Sequence, residues 1–219
     1  MKDSTARPQD LVAAGYDAIA DRYAGWQEGI AGDPRGRYVG RLLELLPAEA
    51  DLLEIGCGQG VEPTPTLARR GRLTAIDVSG AQLERARAAV PEAVLVQGDV
   101  TEAEFAPESF DAVVALYSLT HIPGALLRDL LARVAAWLRP DGILLATLGS
   151  RESEETVEDW LGAPMFFSGF EPETNERLLR EAGFELLESR VETMREPESE
   201  PGHGPETVAF HWVLARRRG

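Results

Sequence analysis

Residues 53–60 read Leu53-Glu54-Ile55-Gly56-Cys57-Gly58-Gln59-Gly60, and no other stretch restricts the fold as much. An apolar run carries an acidic residue, and three glycines then alternate ahead of a helical pattern. A buried strand that feeds a tight turn poor in side chains, followed by a helix N-terminus, belongs to open parallel sheets, where ligands sit beyond the strand ends. The spacing also excludes a class. A dinucleotide turn needs G-x-G-x-x-G, hence glycine at position 61, and that residue is Val61. The G-x-G-x-G spacing disfavours a pyrophosphate cradle, and with it a nicotinamide oxidoreductase.

Strand patterns over 51–56, 72–77, 93–97, 110–117 and 142–148 alternate with helical patterns over 60–70, 80–90 and 123–138. This rhythm predicts an α/β, doubly wound fold with right-handed crossovers. Ala112-Val113-Val114-Ala115-Leu116 predicts a central strand buried on both faces. Upstream, Leu11, Val12, Tyr16, Ile19, Ala20, Tyr23 and Trp26 recur at helical spacing over 10–30, and a second helix over 35–46 is closed by Pro47. Downstream of Gly149 the pattern predicts an acidic helix start over Glu152 to Asp159, an apolar stretch from Trp160, and a helix from Pro172 to Ala182 stopped by Gly183. Strands over 185–194 and 206–216 have no helix between them, so they predict an antiparallel hairpin. Their Pro/Gly/Glu-rich connection over 196–205 reads as a mobile linker. We expect one domain over 1–219, with a helical lid over 1–46 and an insertion over 150–172.

The net charge of −15 opposes phosphate backbones, so nucleic acid is a poor partner. Residues 151–200 alone carry 15 acidic and 5 basic side chains. No apolar run is long enough to span a bilayer and Met1 to Asp10 is polar, so neither a membrane segment nor a signal peptide is expected. The lone Cys57 has no internal partner, which fits a reducing cytoplasm, and no base stands near it in sequence to make it a nucleophile. The sole lysine is Lys2, which rules out a P-loop lysine or a lysine Schiff base in the body of the chain.

The glycine turn and the order of elements together resemble the class I S-adenosylmethionine-dependent methyltransferases of small-molecule type, most strongly over 45–150. The resemblance implies a Rossmann-like seven-stranded sheet, mostly parallel with a C-terminal antiparallel hairpin, and S-adenosylmethionine as cofactor. It implies that Gly56, Cys57, Gly58 and Gly60 lie against the methionine part of the cofactor and that Glu54 meets its ammonium. Asp77 ends the second strand, 21 residues after Gly56, where a carboxylate binds ribose hydroxyls, while Ser79 suits the N-cap of the next helix. Asp99 resembles the family's adenine-binding acid, with Val78 and Val100 on either side of the ring. Leu116 and Tyr117 leave the fourth strand beside the cofactor. Tyr16 to Tyr23 resembles the family's Tyr-Asp-x-x-Ala-x-x-Tyr lid helix, which brings Tyr16 to the same site.

Acceptor chemistry is expected at the fourth strand exit, Ala115 to Pro123. No Asn-Pro-Pro-Tyr motif stands there, nor the acid of metal-dependent catechol-type enzymes, and Leu148-Gly149-Ser150 offers no Asp-Asn pair, so no metal is expected. His121 is the best candidate for a general base, with catalysis by proximity alone an equal contender. His203 and His211 are weaker candidates. Tyr23, Trp26, Trp160, Met165, Phe166, Phe167 and Phe170 could line an aromatic pocket, or half of them could anchor the insertion. The reading is methyl transfer to O or N of a small cytoplasmic molecule, C-transfer being less favoured, by a monomer or homodimer. An aminopropyl transferase lacks the paired aspartates it would need, and a non-catalytic cofactor-binding protein stays open.

Overall fold

The computed structural model describes residues 7–199 and 204–219; His203 and the centre of the 196–205 connection lie outside them. Two helices, α1 (Pro8–Glu28) and α2 (Arg35–Leu45), precede the sheet. Then follow β1 (Ala50–Ile55), α3 (Thr64–Arg70), β2 (Gly71–Asp77), α4 (Gly80–Ala89), β3 (Val94–Gln97) and β4 (Phe110–Ala115). After a 3₁₀ turn at Leu119–His121 come α5 (Gly124–Trp137), β5 (Leu138–Gly149), β6 (Ser153–Trp160), β7 (Ala163–Gly169), α6 (Pro172–Glu181), β8 (Phe184–Glu196) and β9 (Glu206–Arg217).

Seven strands run in the order β3-β2-β1-β4-β5-β9-β8. β1 to β5 are parallel, and β9 inserts antiparallel between β5 and β8. The expected mostly parallel sheet with a terminal antiparallel hairpin is what forms. Its chain order reverses between β1 and β4, and that switch point opens a crevice at their carboxyl ends.

The sheet is buried on both faces because its central strands are apolar at successive positions. Val113 packs with Leu53, Leu144 and Val213 under α5 and α6. Ala112 and Val114 face the opposite layer, with Leu145, Leu214, and Tyr38 and Leu42 of α2. Tyr38 stacks on Trp212 at 4.6 Å between ring centroids.

One expectation fails. Glu152 to Asp159 does not start a helix; from Ser153 onward it lies in β6, paired with β7 in a separate two-stranded sheet. Leu161 and Gly162 both have positive φ (53° and 91°), the signature of a two-residue type I′ turn, and this geometry returns the chain as a hairpin. The acidic residues that suggest a helix start are exposed on both faces of the strand, while Trp160 and Met165 pack into a cluster with Val12 and Ile19 of α1. The 196–205 connection begins pinned: Trp26 Nε1 donates to the Pro197 carbonyl at 3.1 Å, and Leu161 N to that of Ser199 at 2.7 Å.

Candidate active site

Two crossings of the chain form the floor of the crevice. The glycine turn after β1 adopts positive φ at Gly56, Gly58 and Gly60. At Gly56 a side chain is also sterically forbidden, because a Cβ there would overlap Ser118 Cβ just after β4. Ser118 Oγ donates to the Ile55 carbonyl at 2.7 Å and ties the two crossings together. Tyr117 departs from β4 in the left-handed region (φ 61°), a costly conformation for an aromatic residue. Its hydroxyl donates to Asp33 at 2.7 Å, and the Arg35 guanidinium lies 5.1 Å over its ring.

A cleft of about 1010 Å³ opens above this floor. Glu54, Gly56, Cys57, Gly58, Asp77, Val78, Asp99, Val100, Leu116, Tyr117 and Tyr16 all line it, so the expected cofactor residues gather in one place. Gly60 stands behind the turn, where a Cβ would come within 3.0 Å of the Ala86 Cα of α4. Asp77 accepts from the backbone N–H of Gly58 (2.8 Å) and of Ser79 (2.9 Å), bracing the turn against α4. Ser79 caps α4 by accepting from Gln82 N, as expected. Asp17 of α1 accepts from Ser79 Oγ (2.6 Å) and Ala81 N (3.0 Å), which clamps the first helix over the crevice.

Several buried polar atoms facing the cleft lack protein partners: Glu54 Oε2, Asp99 Oδ2, and both amide atoms of Gln82, which is only 1% exposed. Leaving such groups unpaired costs stability, so a ligand that paired with them would recover that cost. Burial pushes the Glu54 carboxyl up to about 8, against the opposing hydrogen bond from Thr64 Oγ1 at 3.1 Å. Burial raises Asp77 as well, with the Ser79 and Gly58 amides opposing it. It also pushes the Cys57 thiol up, so no thiolate forms there near neutral pH. Gln82 and Arg35 carry no motif that sequence reading could catch. Gln82 follows from its place three residues after the Ser79 cap; Arg35 follows only from the packing of α2.

A second cavity of about 1540 Å³ lies between α1, the β6–β7 hairpin and the β8–β9 ends. Tyr16, Tyr23, Gln27, Arg35, Tyr117 and His121 line both spaces and form the wall between them. Trp26, Trp160 and Phe167 line the second cavity, as expected for an aromatic pocket. Met165, Phe166 and Phe170 do not line it. Met165 is fully buried against Gly15 of α1, Phe166 joins the same cluster, and Phe170 packs beside Gly124 at the start of α5. These three anchor the hairpin.

His121 is 7% exposed. Its Nδ1 lies 2.7 Å from the Phe166 carbonyl, which can only accept, so the proton sits on Nδ1. Nε2 then accepts from the Tyr16 hydroxyl at 2.9 Å. Burial pushes the imidazole down to about 4, so it is neutral at physiological pH. His211 belongs to a different network behind α6. Asn175 Nδ2 donates to its Nδ1 (3.3 Å), its Nε2 donates to Ser189 Oγ (2.8 Å), and Ser189 donates to Glu176 (2.6 Å). That direction makes His211 a donor to the serine and gives the serine no base.

A methyltransferase domain model matches residues 52–142, which is β1 through the first part of β5. An uncharacterized methyltransferase of Synechocystis is 30% identical over 152 residues, covering 64% of this chain and 69% of that protein. The chain belongs to the class I S-adenosylmethionine-dependent methyltransferases. The chain is also 34% identical to the trans-aconitate 2-methyltransferase of Enterobacter over 129 residues, 56% of this chain and 49% of that one. It spans about half the length of the first curated relatives it matches. A crystal structure of a SAM-dependent methyltransferase from Methanosarcina mazei superposes with a TM-score of 0.67 at 19% identity, covering 80% of this chain and 95% of the other. That likeness is one of fold. The unpaired Asp99, Glu54 and Gln82 atoms fit the cofactor of that family, which has an amine, an ammonium and hydroxyls to pair with them. None of the chain's described helices is long and apolar enough to cross a membrane.

Proposed function

We propose that the protein transfers a methyl group from S-adenosylmethionine to a nitrogen or oxygen of a small aromatic or apolar acceptor, carbon being less favoured. One observation carries this reading: the cleft and the second cavity share a wall, so ligands in the two spaces can meet at Tyr16, Tyr117 and His121. Bound in the cleft, S-adenosylmethionine supplies an electrophilic methyl group on a positively charged sulfur.

The chain's own residues would do the rest. Asp77 and Gln82 would hold the ribose hydroxyls, since each Asp77 oxygen keeps a free lone pair beyond its backbone bond and Gln82 has no protein partner. Asp99 Oδ2 would take the adenine amine, its other oxygen being held by the Thr101 N–H and hydroxyl at 2.8 and 2.7 Å. Val78 and Val100 would flank the ring. Glu54 and the glycine turn would face the methionine end, where the acidic lining suits a cation. Cys57 would contribute only its small size, and Leu116 would close the floor.

His121 enters this scheme as a positioning residue. Its Nε2 lone pair is spent on Tyr16, so a proton from the acceptor could reach it only through the Tyr16 hydroxyl. Proximity and orientation then supply most of the rate, because the donor is already activated. The acceptor would lie among Tyr23, Trp26, Trp160 and Phe167. We infer a cytoplasmic monomer or homodimer acting on no nucleic acid, on the strength of the unpaired Cys57 and the charge of −15.

Calorimetry with S-adenosylmethionine, S-adenosylhomocysteine and NADH on one sample tests the reading. Heat is expected with the first two and none with NADH. No heat with either adenosyl ligand ends it. Release of S-adenosylhomocysteine in the presence of aromatic amines and phenols then reports turnover.

A further inference from the structure

We infer that the second cavity selects an acceptor with an aromatic body and a cationic ammonium group, and that Glu196 and Glu206 recognise the ammonium. This inference rests on the methyl-transfer reading above and adds the chemistry of the acceptor.

Many polar groups of the cavity already have partners. Along the floor, His121 is occupied by Tyr16 and Phe166, Thr120 Oγ1 donates to the Tyr117 carbonyl at 3.1 Å, and Ser168 Oγ donates to that of Ile122. Among the charged side chains, Arg35 pairs with Asp33 at 3.0 Å and Arg151 with Glu155 at 3.2 Å. Glu196 and Glu206 are the remaining charged residues of the lining, and neither has an ion pair among the described residues. They stand directly opposite one another on β8 and β9. Like charges in that register destabilise a sheet, and among the described residues no ion pair offsets them.

Glu206 is exposed at the rim, and Glu196 is partly buried. Burial, Glu206 and Asp33 together push the Glu196 carboxyl up to about 7. A cation between the two carboxylates removes that repulsion. The described residues contain no group of acidic, histidine and cysteine side chains able to hold a metal ion. The neighbouring surfaces are aromatic instead: Tyr23 stacks near-parallel on Trp26 (21° between planes), and Trp160, Phe167 and Phe210 complete the wall. Aromatic faces beside carboxylates attract an organic ammonium through charge and ring quadrupole together.

Three probes of one shape separate the possibilities: tyramine (cationic), 4-ethylphenol (neutral) and 3-(4-hydroxyphenyl)propionate (anionic). Binding is read by quenching of tryptophan fluorescence in the full chain saturated with S-adenosylhomocysteine. Tyramine is expected to bind about tenfold or more tighter than 4-ethylphenol, and the anion weakest. In the Glu196→Gln/Glu206→Gln double variant, tyramine should fall to the level of the phenol while S-adenosylhomocysteine affinity is unchanged. The variant removes a repulsion, so it should fold at least as stably as the parent, which a thermal melt checks. Equal binding of the three probes, a preference for the neutral or anionic one, binding by none, or tyramine affinity unaffected by the double variant overturns the inference. Loss of S-adenosylhomocysteine binding in the parent protein would instead overturn the methyl-transfer reading.

Discussion

The Tyr16 hydroxyl lies 2.9 Å from Nε2 of His121, whose other ring nitrogen donates to the Phe166 carbonyl at 2.7 Å. One buried imidazole thus joins α1, the exit of β4 and the β6–β7 hairpin. The same bond that holds Tyr16 between the two cavities withdraws the only lone pair with which His121 could act as a base.

A neutral, fully engaged imidazole should leave no trace in the pH–rate profile. Between about pH 5 and 8, log kcat is expected to show no inflection that disappears in His121→Asn. Its stability effect has a definite sign. The folded pKa of about 4 lies below the ordinary 6.5, so this contribution is present above pH 6.5 and is lost as pH falls towards 4. His121→Asn should therefore flatten the acid limb of urea-unfolding stability relative to the parent. An inflection near 6.5 that the variant abolishes would falsify the positioning role.

Glu54 titrates in the opposite sense. Its folded pKa of about 8 lies above the ordinary 4.5, so its contribution to stability is present below pH 4.5 and lost as pH rises through 8. Glu54→Gln should reduce the fall of Tm between pH 5 and 9 in the ligand-free protein. If Glu54 ionises on meeting a cationic ligand, S-adenosylmethionine binding at pH 7 releases a proton. Calorimetry in buffers of different ionisation enthalpy detects that proton, and Glu54→Gln should abolish it.

Asp77→Ala should weaken S-adenosylhomocysteine binding by roughly 1.5–3 kcal/mol, the cost of losing hydrogen bonds to a charged group. Gln82→Leu is nearly the same size and should cost about 1 kcal/mol of affinity while stabilising the ligand-free protein, because it removes two unpaired buried atoms. Calorimetry and thermal melts give the two numbers for each variant. A Gln82→Leu protein with undiminished affinity places the amide outside the cofactor site.

Phe166 and Phe167 are neighbours with different surroundings. Phe167 lines the second cavity, so Phe167→Ala should raise acceptor KM well above its effect on cofactor affinity. Phe166 is buried against α1, so Phe166→Ala should lower stability by about 3–5 kcal/mol and act on KM only through the loosened hairpin. Equal KM effects from both variants, with no difference in stability, would return Phe166 to the pocket lining.

Sequence alone was enough to find the cleft. Periodicities of two and 3.6 laid out the alternating elements, and the motif at 53–60 with Asp77 and Asp99 marked the strand ends that converge on the cleft. These are local signals: strand and turn chemistry within a few residues places each group at the carboxyl edge of a parallel sheet. Tertiary structure alone decided the second cavity. Glu152 to Asp159 reads as a helix start until β7 pairs with it, because strand formation there depends on a partner and a type I′ turn rather than on local propensity. His121 looks like a base in sequence. Its neutrality and its bond to Tyr16 come from residues 105 positions upstream and 45 downstream, which only packing brings to its two nitrogens.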